Sequence, residues 1–119
     1  SVLAYNLETI LAEKLETIIS RGDQNTRPRD YYDVYIIRRL QWKNVDPDAL
    51  KDALTATAEK RGTSAIMRRY AEIMAIVEKS DTMKKHWLDY QAQFDYARDI
   101  QYTDVCRTIT EILDGMIDV

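Results

Sequence analysis

Glycine and proline are scarce in this chain: three glycines and two prolines among 119 residues. So few backbone breakers point away from a protein of tight hairpins and toward long uninterrupted helices. A single cysteine, Cys106, excludes an internal disulfide. It stands among Val105, Ile109 and Ile112, reads as a small buried apolar residue, and fits a reducing cytoplasm. The one histidine, His86, lies beside Lys84-Lys85, which leaves neither a His/Cys zinc set nor a serine-type triad. No apolar run approaches the roughly 20 residues of a membrane span. A Gly-rich phosphate loop of the P-loop kind is also missing. The sequence opens on Ser1 rather than methionine, with no leader pattern, and we expect a fragment with a segment missing upstream.

What is present suits one soluble globular domain: 45% apolar and 31% charged residues, with a net charge of −3. That balance argues against a general polyanion binder. The charge is uneven, however. Lys60, Arg61, Arg68 and Arg69 fall in a stretch without an acid, and Arg21, Arg27, Arg29, Arg38, Arg39 and Lys43 gather around the first loop.

Apolar spacing and cap residues predict six helices. The first runs from about Asn6, a good N-cap residue, to Ser20, followed by a polar loop to Pro28. The second covers about Arg29 to Leu40. Asp46-Pro47-Asp48 starts a third, which Arg61-Gly62 ends. Thr63 or Ser64 opens a fourth along Ile66, Tyr70, Ile73 or Met74, and Val77. Ser80-Asp81 opens a fifth, lined by Met83, Trp87, Tyr90 or Gln91, and Phe94. The sixth starts at Thr103 or Asp104 and carries Val105, Ile109, Ile112 and Met116 at four-three-four spacing. With no strand pattern of comparable strength, the fold class is all-α, a compact bundle of about six helices across residues 1–119.

Within that frame Lys14 is out of place. It shares the apolar stripe of the first helix with Leu7, Leu11 and Ile18. A lysine there must snorkel out or meet an acid, because an unpaired buried ammonium costs several kcal/mol. The second helix offers Asp30 and Asp33. Asp33 shares a stripe with Ile37 and Leu40, which puts it nearer the core than Asp30. The pairing is either a structural bridge between two helices or a site in which a fixed cation neutralises a phosphate. An Asp-x-x-Asp on one helix face could also hold a divalent metal, but two carboxylates without a third ligand are a weak signal. Arg27 and Arg29, flanking Pro28, either reach a nucleotide or RNA phosphate or are solvated. Lys60-Arg61 and Arg68-Arg69 either touch nucleic acid or end helices in solvent. The tyrosines Tyr31, Tyr32 and Tyr35 either stack a base or pack, Tyr31 and Tyr35 at the bundle surface.

The wording of these segments carries more than their spacing. LETILAEKLETIISRG followed by NTRPRDYYDVYII resembles the two C-terminal motifs of the AbiEii-type nucleotidyltransferase toxins. The first ends in Glu-Lys and the second carries an arginine ahead of an aromatic-Tyr-Asp element. LKDALTATAEKRGT and HWLDYQAQF look like the family's helical tail. The resemblance implies that Lys14 contacts nucleotide phosphates and that Asp33 completes the active site, with Asp30 and Glu13 supporting. It also implies NTP and Mg²⁺ as needs of the whole protein, with neither held by this piece alone. The implied acceptor is left open, with RNA a candidate and transfer RNA the acceptor in some relatives. A cognate antitoxin and a role in phage defence in the cytoplasm of a bacterium or archaeon would follow. The departure is as informative: the family's Gly-Ser element is missing, and no strand precedes the first helix to carry metal-binding carboxylates. The expectation is therefore the C-terminal half of a two-part enzyme, inactive without an upstream nucleotidyltransferase domain. The competing expectation is a helical module that binds RNA or a protein and does no chemistry.

Overall fold

The computed structural model describes residues 6–118, and among them there are seven α-helices and no strand. They are α1 (Leu7–Arg21), α2 (Pro28–Leu40), α3 (Pro47–Arg61), α4 (Ser64–Met67), α5 (Tyr70–Lys79), α6 (Asp81–Gln93) and α7 (Tyr102–Met116). Three single 3-10 turns, Gly22–Gln24, Trp42–Asn44 and Asp95–Ala97, connect them. The all-α expectation holds.

Local chemistry sets most boundaries. Asn6 Oδ1 accepts from the Thr9 amide at 3.1 Å and starts α1. Asp46 Oδ1 accepts from the Asp48 and Ala49 amides at 3.0 and 3.4 Å, with Pro47 in the first turn of α3. Ser80 Oγ accepts from the Met83 amide at 3.1 Å and starts α6. Gly62 ends α3 with φ of 72°, a left-handed conformation that any other residue would hold under strain.

α1 is the central helix. Leu11, Ala12, Leu15, Ile18 and Ile19 are all buried, and the helix packs most broadly on α3, then on α2 and α4. α7 closes the other side with Val105, Cys106, Ile109, Ile112, Leu113 and Met116 against α2 and α5. Cys106 is thus the buried apolar residue its neighbours implied. Burial pushes its thiol up to about 12.

Two expectations need correction. The fourth predicted helix is two, α4 and α5, broken at Arg68-Arg69. Met67 rather than Ile66 enters the core, and Ile66 is 40% exposed. Met67, Tyr70, Met74 and Val77 keep helical spacing across the break, so periodicity could not reveal it. The cause is tertiary: α4 packs on α1 and α3, whereas α5 turns to α7, where the Tyr70 hydroxyl donates to Asp114 at 2.5 Å.

The inward face of α2 is also different. Asp30, Tyr31 and Val34 are buried, Asp33 is only partly covered, and Leu40 is 67% exposed. Asp30, not Asp33, is the more core-facing acid, and Tyr31 belongs to the core rather than the surface. Lying between α1 and α7, the helix turns that face inward. A buried aspartate is tolerated there because two cations meet it.

Candidate active site

Those cations are Lys14 and Arg27. The Lys14 ammonium lies 3.3 Å from Asp30 Oδ1 and 2.9 Å from Asp33 Oδ2. Arg27 Nε approaches the other Asp30 oxygen at 3.4 Å, so both oxygens of the buried acid are paired. Arg29 Nε stands 3.8 Å from Asp33 Oδ2, on a side chain that is largely exposed. The loop before α2 helps to aim these groups: Asn25, fully buried, accepts from the Arg27 amide at 2.7 Å. His86 Nδ1 in turn lies 3.2 Å from the Asn25 carbonyl oxygen and ties that loop to α6.

The Lys14 side chain is 23% exposed, against 4% for Asp30. An ammonium carries three N–H donors, and two carboxylates face it here. The remaining direction is not met by an acid among the described residues. Lys14 lines an open groove of about 300 Å³ with Ile10, Glu13, Thr17, Arg27, Asp30 and Arg61. Asp33 is not among the residues that line it.

Arg61 is the residue that sequence reasoning placed elsewhere. At the C-terminal end of α3 it reaches back to α1, pairs with Glu16, and approaches Glu13 at 3.5 Å. Thr63 Oγ1 donates to the second Glu16 oxygen at 2.9 Å. Glu16 is 2% exposed and was missed altogether. A signal existed: Ala12, Leu15, Glu16 and Ile19 share the inner face of α1, and an acid there demands a partner. Spacing could not say that the partner lies 45 residues away.

Glu13 is exposed and touches only Arg61 in this cluster. Lys60 and Arg68 are exposed, and Arg69, just before α5, pairs with Glu72 in the first turn of that helix. Tyr32 packs against Tyr96 and Tyr90 at centroid distances of 4.6 and 6.0 Å. Trp87 and Tyr90 are core residues, and Phe94 is half-buried against that core.

No group of three or more His, Cys, Asp or Glu side chains gathers to hold a metal among the described residues. Asp30 and Asp33 are a donor set for an ammonium: both face Lys14, and no third acid joins them. Among the described residues, no helix is long and apolar enough to cross a membrane.

The family description "nucleotidyl transferase AbiEii toxin, type IV TA system" matches residues 1–113. The chain belongs to that family. Membership of the AbiEii toxins makes nucleotidyl transfer its general class of activity, sets it on the toxin side of a toxin–antitoxin system, and implies an antitoxin as partner. No curated protein and no solved structure matches the chain.

Proposed function

We propose that this AbiEii chain is the helical half of a two-part nucleotidyltransferase and that Lys14 is its contact with the phosphates of an NTP. The observation that carries this reading is the position of the Lys14 ammonium, held by Asp30 and Asp33 yet open to a groove. In nucleotidyl transfer an acceptor oxygen bonds to the α-phosphorus as the bond to pyrophosphate breaks. Negative charge grows on the departing oxygens, and a fixed cation lowers that barrier more than a mobile one. Asp30, buried and doubly paired, would position Lys14. Asp33, nearer to Lys14 and partly exposed, would orient Lys14 or the attacking hydroxyl. Arg27, on the groove, and Arg29, beside Asp33, would meet further phosphate oxygens of nucleotide or acceptor, with Glu13 in support. Mg²⁺ accompanying the NTP would be bound by carboxylates of an upstream domain, since Asp30 and Asp33 fit an ammonium. The acceptor in this reading is RNA, transfer RNA included, and the setting is phage defence in the cytoplasm.

The alternative is a module without chemistry, in which Lys14 only ties α1 to α2. The burial and double pairing of Asp30 favour it. The two part on an assay: full-length protein incubated with each labelled NTP, Mg²⁺ and total cellular RNA. Label in RNA with the unmutated protein, and none with Lys14→Ala, would support the transferase and name nucleotide and acceptor class. Absence of label from every folded version would favour the module.

A further inference from the structure

The C-terminal end of α2 and the turn after it carry an arrangement that the groove does not use. The Arg38 guanidinium carbon lies 4.3 Å from the Trp42 ring centroid, and that of Arg39 lies 5.6 Å from the Tyr35 ring. Lys43 is exposed in the same turn. Residues 34–45 contain no aspartate or glutamate. Arg27, Arg29, Arg61, Arg69, Arg98 and Arg107 each meet a carboxylate within 4.0 Å. Among the described residues, Arg38, Arg39 and Lys43 meet none; Arg21, Arg68, Lys60, Lys79 and Lys84 share that state, but only Arg38 and Arg39 stand over rings.

Positive charge at a helix C-terminus is favoured by the helix dipole, which accounts for cations at this end. It does not account for their position over rings. A guanidinium that stacks uses its flat face, so its in-plane N–H donors still point outward. The ring also restricts the side chain beforehand, so less freedom is lost when an oxyanion arrives. Three cations free of acids, two of them standing over aromatic rings, match a ligand that repeats negative charge and offers planar groups. That ligand is nucleic acid rather than a folded acidic surface.

We infer that Arg38, Arg39 and Lys43, with Trp42 and Tyr35, form a docking surface for the phosphate backbone of a single-stranded RNA segment. This surface is separate from the Lys14 groove. Only the naming of that RNA as the acceptor rests on the transferase reading; binding itself does not.

The test is fluorescence anisotropy of the protein with a short, mixed-sequence, labelled single-stranded RNA across a salt series. Three phosphate contacts predict a slope of log affinity on log salt near about −2, or about a 20-fold loss between roughly 50 and 200 mM salt. Arg38→Ala with Arg39→Ala should bring the slope to about −0.7, and Arg39→Ala alone, on an exposed side chain, to about −1.4. Replacing both arginines by lysine keeps the charge at the helix end and should keep most of the salt slope while weakening affinity. Circular dichroism checks the fold of each variant. Affinity and slope unchanged in Arg39→Ala and in the folded double variant would overturn the inference. So would polyglutamate competing as well as unlabelled RNA, which would make the occupant an acidic protein. Binding is scored on the arginine variants and transfer on Lys14→Ala, so a failure of one reading leaves the other's result legible.

Discussion

At the contact of α1 with α3 the enclosed partner is an acid: Glu16 is 2% exposed, with one oxygen on Arg61 and the other on Thr63. Two residues earlier on α1, at the contact of α1 with α2, the cation Lys14 stands between two acids and keeps part of its surface open. Both clusters border one groove. In the first, every polar atom of the buried group is used, and what reaches solvent is the far side of an arginine. In the second, the buried acid is equally satisfied but its partner cation is left with capacity to spare. A saturated cluster holds helices together. A cluster with an open cation can also receive an anion.

Removing Arg61 should have the largest effect on stability. Arg61→Ala leaves the Glu16 carboxylate enclosed with only Thr63, and we expect a loss of about 2–3 kcal/mol, reduced from that of a fully enclosed pair by the exposure of Arg61. Equilibrium urea unfolding measures it. Lys14→Ala should lose less, about 1 kcal/mol, because Arg27 still neutralises Asp30 and Asp33 can reach water. The comparison breaks if the order reverses: a Lys14→Ala loss of 3–5 kcal/mol, typical of a broken buried pair, would make that cluster the structural one.

Tyr70→Phe provides an effect of similar size, about 1 kcal/mol, from one hydrogen bond to an exposed acid. That bond raises the Tyr70 hydroxyl to about 12. The folded state therefore favours the protonated phenol. Its contribution is complete below pH 10 and is lost as pH rises through about 12. Urea midpoints taken along that range should fall less steeply in Tyr70→Phe than in the parent. Cys106 gives the smallest signal at neutral pH. Enclosed and held as the thiol, it should react with iodoacetamide only in urea, and fast labelling of the native protein would contradict its packing.

Much of this was legible from residue order. The Asn6, Asp46 and Ser80 caps and the apolar stripe of α7 are local signals, and they placed those helices to within a residue or two. The meeting of Lys14 with Asp30 and Asp33 was legible too, because a lysine on an apolar stripe requires an acid. What failed was orientation. The Asp33–Ile37–Leu40 stripe looked inward, but α2 lies between α1 and α7 and turns Asp30, Tyr31 and Val34 to the core. Likewise Glu16, on the inner face of α1, demanded a partner, but nothing local named Arg61 until α3 folds back on α1. Pairing across 45 residues leaves no local trace.

The central claim, that the Lys14 cluster serves chemistry and the Glu16 cluster serves the fold, is tested most directly by one variant read in two ways. Lys14→Ala in the full-length protein should lower nucleotide transfer by about 10²–10³-fold, the usual effect of removing a fixed charge-stabilising group, while the urea midpoint moves little. A folded Lys14→Ala protein that transfers nucleotide at the parent's rate would contradict the account.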